Sequence, residues 1–299
     1  MNDRRPAAWL VDGSLIAITF VWGATFILVK RALNDVSTLA FLTIRFSFAA
    51  VVLALVFRRA LGAANSAGNF KTSVRGGMLA GLLLFGGYVV QTLGLRYTTA
   101  SKAAFLTGFT TPMVAVLSSV VYRRPPRWIE VIGVAIAFAG MVLMTLPSGG
   151  FAIGRGDLLV ACCAVAYALH ILVTGRFAAR VDTGVFMVAQ IATGAAVGLA
   201  SFWWAEAVRI QWSAWVIAAL GITSLFATAL AFWVQTWAQR WASPTRTGLI
   251  FALEPVFAWI TSFALAGEVL SRRAAAGAAL ILTGILTVEL KPLARERHQ

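Results

Sequence analysis

Apolar residues along the chain gather into ten runs, each bounded by charged or turn-forming residues, at positions 13–32, 38–57, 76–95, 101–121, 128–146, 157–175, 184–204, 212–236, 245–266 and 274–290. A helix rises 1.5 Å per residue, so about 20 apolar residues cross a hydrocarbon core roughly 30 Å thick, and each run predicts a membrane-spanning helix. The longest polar interruption, residues 58–75, holds Gly, Asn, Ala and Ser between basic residues and predicts a loop. No stretch remains for a water-soluble domain, so any function must be built among the helices. The first run is followed by Lys30-Arg31 and not by a small-residue cleavage site, which predicts an uncleaved span in place of a secretory signal.

Composition excludes a soluble globule. The chain has 299 residues, 60% apolar and 12% charged, against about 45–50% and 25% in soluble domains. The net charge of +14 would suggest nucleic acid if it were gathered in a patch, but the basic residues lie in short tracts between runs, such as Arg58-Arg59, Arg123-Arg124, Arg272-Arg273 and Lys291 to Arg297. Lipid headgroups are their natural counter-charge, so membrane lipids are expected partners and nucleic acid is not. Leaving aside Arg45, which lies within a run, 16 Lys and Arg fall on the side of the termini and 8 on the other. That asymmetry predicts a multi-pass protein with both termini in the cytoplasm. Cys162 and Cys163 are adjacent in an apolar run, which disfavours a mutual disulfide and reads as small packing residues on the lipid side.

The chain repeats itself at an offset of 144 residues. Gln91-Thr92 falls on Gln235-Thr236, Ile27-Leu28-Val29 on Ile171-Leu172-Val173, Arg96 on Arg240, Lys102 on Arg246, Gly133 on Gly277 and Gly140 on Gly284; Pro112 meets Pro255 after one gap. Five spans per copy is an odd number, so the second copy enters the membrane from the opposite side. The expected fold is an all-α integral membrane protein of ten helices in two inverted five-helix repeats, 13–146 and 157–290. Short cytoplasmic tails, 1–12 and 291–299, flank them.

Several residues carry a family likeness: Val21-Trp22-Gly23-Ala24-Thr25-Phe26, Ile44-Arg45-Phe46, Pro112, and Leu253-Glu254-Pro255 followed by Gly267-Glu268, with Gly133, Gly140, Gly277 and Gly284. On these the chain resembles the drug/metabolite transporter superfamily over residues 13–290, specifically its EamA-type exporters and most closely the bacterial aromatic amino acid exporters. The resemblance implies a secondary transporter, not driven by ATP, that exports amino acids and related metabolites by alternating access. Aromatic or other apolar amino acids are the implied substrates, with a proton as a possible coupling partner. One departure stands out: the first half has Arg123-Arg124-Pro125-Pro126 where such units usually carry Gly-Glu after the fourth helix, so that Glu's role does not transfer to it.

Catalysis finds little support. Of 11 acidic residues only Glu254 falls well inside a run; no intramembrane aspartate pair, H-E-x-x-H, G-x-S-x-G or phosphate-binding glycine loop is present. No cofactor, metal or catalytic residue is expected. An intramembrane enzyme is the weakest alternative; a nucleotide-sugar or lipid-carrier translocator is the stronger one, though it should place more basic residues within spans than Arg45 alone.

The candidate substrate-cavity residues are Trp22, Phe26, Arg45, Tyr88, Gln91, Tyr167, His170, Gln190, Trp233, Gln235, Trp237 and Glu254. A lipid-facing charge at Arg45 would cost about 2.5–3.5 kcal/mol on insertion scales, so it faces inward or snorkels; it either receives a substrate carboxylate or ties helices together. Glu254, beside Pro255, either binds a substrate ammonium or proton or is a buried acid bonded to a neighbouring helix. Tyr167, His170 and Thr174 share one helical face, where His170 is either a proton relay or a satisfied core residue. Phe226, Leu230, Trp233, Trp237 and Trp241 form one aromatic-rich stripe, Trp22 and Phe26 a shorter one; each lines a cavity or faces lipid. Gln91 and Gln235, as inverted mates, suit two gates or simple helix-to-helix hydrogen bonds. Pro112 and Pro255 are candidate hinges or static kinks. Trp203, Trp204 and Trp212 suit an interfacial belt, and Gly77, Gly81, Gly194 and Gly198 suit close helix contacts.

Overall fold

The computed structural model describes residues 6–63, 69–123, 125–145, 154–266 and 271–289, so Gly267-Glu268, Arg124, the 291–299 tail and residues 64–68 lie outside the described residues; the expected loop over 58–75 is instead helical at 58–63 and from 70 onward. What it describes is helical throughout, apart from turns and one isolated bridge between Val36 and Ile210. The helices are α1 (Ala8–Ala32), α2 (Thr38–Val56), α3 (Arg58–Ala63), α4 (Phe70–Tyr97), α5 (Ala100–Thr107), α6 (Thr110–Tyr122), α7 (Trp128–Thr145), α8 (Arg155–Ala178), α9 (Thr183–Ala205), α10 (Ala214–Ser224), α11 (Ala231–Ala238), α12 (Pro244–Phe251), α13 (Glu254–Ala266) and α14 (Arg272–Glu289). Eight helical stretches among the described residues are long and apolar enough to cross a bilayer. They coincide with eight of the ten expected spans. The runs expected at 128–146 and 274–290 form α7 and α14, 18 residues each; the apolar part of α7 is shorter still, and α14 opens on Arg272-Arg273.

Three of the expected spans are interrupted. The fourth breaks between α5 and α6 and the ninth between α12 and α13, in each case giving 8 residues and then 13. At both breaks the backbone tightens: Phe109 and Thr111 donate to carbonyls three residues back, as do Ala252 and Leu253. Proline explains this. It has no N–H and clashes with the preceding turn, so the chain restarts its helix with Pro112 and Pro255 in a first turn that needs no donor there. Side-chain caps start the short pieces, Thr99 accepting from the Lys102 N–H and Ser243 from the Arg246 N–H, both at 3.2 Å. The eighth span widens into a π-helical turn, Leu225–Leu230, between α10 and α11.

The bundle packs α4 against α8 and α9, α2 against α9, α1 against α11 and α13, and α7 against α14. Lipid gives no hydrophobic drive for helix association, so close contact depends on small residues. Gly77 and Gly81 press α4 onto the backbone of α9 around Gln190. Gly194 receives the Phe46 ring and Gly198 the Thr43 hydroxyl. Outward faces carry exposed apolar side chains such as Phe48, Leu55, Leu82 and Phe263, and Trp203, Trp204 and Trp212 lie exposed beside helix ends. Cys162 is exposed and Cys163 buried, with no disulfide between them. The lipid-side reading therefore fails for Cys163, whose Sγ lies 3.7 Å from Thr107 Oγ1; adjacent helical positions point about 100° apart and cannot share one face.

Candidate substrate cavity

A partly open cavity, with about 780 Å³ of atom-free space including the part that opens outward, lies among the helices. The interrupted fourth and ninth spans both reach it, through Thr107, Gly108, Thr110 and Thr111 in the one and Phe251 and Glu254 in the other. The remaining wall comes from α1, α2, α4, α8 and α11. Nine of the twelve expected cavity residues line it: Trp22, Phe26, Arg45, Tyr88, Gln91, Tyr167, His170, Gln235 and Glu254.

Arg45 is only 3% exposed and is held by neutral groups. Its Nε donates to Thr228 Oγ1 at 2.7 Å and its Nη2 to Tyr88 Oη at 2.9 Å and to the Ala227 carbonyl at 3.4 Å, with the guanidinium 4.3 Å above the Tyr88 ring centre. The Ala227 carbonyl also accepts from Trp22 Nε1 at 2.9 Å. Both acceptors belong to the π-helical turn, whose widened backbone departs from the ordinary ladder and can serve outside donors. Arg45 thus does tie α2 to its neighbours while lining the cavity. No carboxylate lies within 4.0 Å of it among the described residues, and its Nη1 makes no hydrogen bond there.

Glu254 is 9% exposed and faces the same cavity. It is the first residue of α13, at the break, and not in the middle of a continuous helix. No hydrogen bond or ion pair to its carboxylate occurs among the described residues, so the helix-bonded buried acid weighed above is not what forms. Gly23 makes its position possible: a Cβ there would sit 2.7 Å from the Glu254 carbonyl, so α1 approaches α13 only because that atom is missing.

Most of the other polar groups bond to one another, though not all are satisfied. Gln91 donates to Thr107 Oγ1 at 2.9 Å and accepts from Tyr167 Oη at 3.0 Å. Gln235 donates to Gln239 Oε1 at 2.9 Å, while its own Oε1 is buried without a partner. His170 Nε2 lies 3.3 Å from Gln190 Oε1 and 3.4 Å from Thr174 Oγ1, its ring edge-on to Phe232. Around them Tyr88 meets Tyr167, and Trp22 meets Phe232 and Phe251, at ring-centre separations of 5.0–5.6 Å, so aromatic rings share the wall with aliphatic and threonine side chains.

Gln190, Trp233 and Trp237 lie outside the lining. Gln190 is fully buried behind His170. Trp233 is 42% exposed and packs on Phe57, and its stripe mates Phe226 and Leu230 are exposed as well. Spacing puts the stripe on one face but does not say which way that face turns: Phe226, Leu230 and Trp233 are exposed, Trp237 and Trp241 are half-buried against a separate apolar cluster, and Phe232 and Gln235 turn into the cavity instead. Sequence reasoning passed over Phe232, Phe251 and the threonines Thr25, Thr92, Thr107, Thr110 and Thr111. The one signal for several of them was proximity to the prolines that break spans four and nine.

Comparison with known proteins agrees with this architecture. The model of the EamA-like transporter family matches the chain twice, over residues 9–146 and 154–290. An uncharacterized transporter of Archaeoglobus fulgidus is 31% identical over 280 residues, 94% of this chain and 86% of that one. The uncharacterized inner membrane transporter YedA of Escherichia coli K12 is 24% identical over 262 residues, 87% of this chain and 84% of its own. A solved crystal structure, 21% identical, shares the fold with a TM-score of 0.77 over 99% of this chain and all of its own. Two family matches that together span most of the chain, on a multi-pass helical bundle with a cavity among its helices, place this protein in the EamA-like transporter family.

Proposed function

We propose that the protein is a secondary exporter of amino acids with aromatic or other apolar side chains, and of related metabolites, working by alternating access across a bacterial inner membrane. The observation that carries the substrate class is the pair Arg45 and Glu254: opposite charges, both buried, both facing one cavity and not paired with each other. Separated buried charges need partners, and a zwitterion supplies both, its carboxylate to Arg45 Nη1 and its ammonium to Glu254. The aromatic rings in the cavity wall suit an apolar side chain. A nucleotide-sugar or lipid-phosphate carrier would need several cations for phosphate, and among the described residues the cavity wall offers Arg45 alone. A proton on Glu254 is the candidate coupling ion.

Ten spans in two inverted five-helix repeats account for the architecture, with α7 and α14 as the fifth and tenth. The supporting observations are the doubled family match, the paired 8- and 13-residue helices, and contacts that recur on exchanging halves, such as α4 with α8 against α1 with α11. Both termini then lie in the cytoplasm. The breaks at Pro112 and Pro255 serve as hinges around the cavity, as interrupted helices do in inverted-repeat transporters. The test is a screen on the purified protein in liposomes, with labelled apolar amino acids competed against polar amino acids, nucleotide sugars and polyamines. Competition by apolar amino acids supports the reading; competition by nucleotide sugars alone, or no amino acid flux, overturns it.

A further inference from the structure

Two ion pairs stand at opposite ends of the bundle. Lys102 Nζ lies 2.6 Å from Asp157 Oδ2, joining the start of α5 to the start of α8. Arg246 Nη2 pairs with Asp12 Oδ2, joining the start of α12 to the start of α1. They are mates under the internal repeat: Lys102 and Arg246 are 144 residues apart and Asp12 and Asp157 145 apart, each basic residue following its cap, Thr99 or Ser243, by three. The Asp12 pair sits near the beginning of α1. The Asp157 pair sits beyond its far end, where Lys30 donates to the carbonyls of Leu95, Arg96 and Thr98, and Thr98 donates to Asp157 at 2.7 Å. From Asp12 to Lys30 the helix advances about 27 Å.

We infer that these two ion pairs are the opposing gates of the cavity, each closing one of its two ends. Each pair clamps one interrupted helix to one continuous helix, and both partners line the cavity further along: α5 through Thr107 and α8 through His170, α12 through Phe251 and α1 through Phe26. Opening the cavity toward either end therefore requires the clamp at that end to part. Both are formed in this structure. The clamps are unequal. The Asp157 carboxylate also accepts from Thr98 Oγ1 and from the Gly154 N–H at 2.8 Å, whereas Asp12 Oδ1 is buried with no hydrogen-bond partner among the described residues.

The assignment rests on the alternating-access reading above, and its test needs no substrate. A reporter cysteine, Thr25→Cys, is placed in the cavity of the full chain lacking Cys162 and Cys163, and labelling by an impermeant charged maleimide is measured from each side of oriented proteoliposomes. Lys102→Gln should raise labelling from the side of the Lys102 end about fivefold or more, and Arg246→Gln should do the same from the opposite side. The charge-exchanged pair Lys102→Asp with Asp157→Lys should restore the starting pattern, and serves again if a single variant folds poorly. Labelling that is unchanged, or that rises from the same side in both variants, overturns the gates and leaves the transporter reading standing. Opposite shifts without flux of any amino acid uphold the gates and count against the substrate class alone.

Discussion

Gly133 of α7 lies directly against the backbone of Gly284 of α14: a Cβ on Gly133 would stand 2.7 Å from the Gly284 carbonyl oxygen, and one on Gly284 would stand 2.5 Å from that of Gly133. One helical pair further on, Gly140 meets Gly277 in the same way, at 2.5 Å. The repeat pairs Gly133 with Gly277 and Gly140 with Gly284, so the contacts swap mates, as residues facing each other across a two-fold axis do. The backbones touch where each side chain is a hydrogen atom. Replacing Gly133 or Gly140 by Val should destabilise the purified protein by about 1–3 kcal/mol through overpacking and so lower its thermal midpoint, while Val at Gly86, which has open space, should not. Equal midpoints for all three variants would refute the account.

Among the described residues Glu254 has no hydrogen-bond or ion-pair partner while lining the cavity, so neutralising it should cost little structure and much function. Glu254→Gln is expected to keep its folded yield and lose about tenfold or more in transport rate, the scale of one charge-assisted bond of 1.5–3 kcal/mol. Flux assays in proteoliposomes decide the point, and kinetics like those of the parent protein would remove Glu254 from the substrate site.

Arg45 combines a structural tie with an open donor, and the two can be separated. Arg45→Lys keeps the charge but cannot reach Thr228, Tyr88 and Ala227 together and loses the planar fork, so KM for an amino acid should rise about tenfold or more. Arg45→Leu leaves the Thr228 and Tyr88 hydroxyls buried without their donor and should lower the folded yield as well. A Lys variant with unaltered KM would restrict Arg45 to the tie.

The prolines restart helices beside the cavity. Pro112→Ala and Pro255→Ala should let α5 run into α6 and α12 into α13, stiffening the hinges. Turnover is expected to slow several-fold with substrate binding largely kept, as measured by equilibrium binding alongside flux. A folded double variant turning over at the parent rate would show the breaks to be static.

The charge bias predicts that both termini are cytoplasmic. A cysteine at Arg180, between α8 and α9, should react with an impermeant maleimide only from the cytoplasmic side, and one at Val208, between α9 and α10, only from outside. Reaction in the reverse sense would invert the protein.

Span lengths, the 144-residue repeat and the identity of the buried charges could be read from the sequence, because each depends on composition or periodicity along one chain. Bilayer thickness fixes run length, and no soluble fold tolerates so few charges. Even the breaks in spans four and nine were marked by Pro112 and Pro255, since a missing N–H acts locally. What the sequence left open were facings. Trp233 and Phe232 are neighbours of similar character, yet one meets lipid and the other the cavity, because only packing against α1 and α8 decides which side of α11 is inside. The π-helical turn, whose Ala227 carbonyl serves both Trp22 and Arg45, has no sequence mark, since it arises from a widening of the backbone and not from a residue type. The pairing of Asp12 with Arg246 likewise spans 234 positions. Distances of that kind are set when helices far apart in the chain pack side by side, and only the tertiary structure brings their charges together.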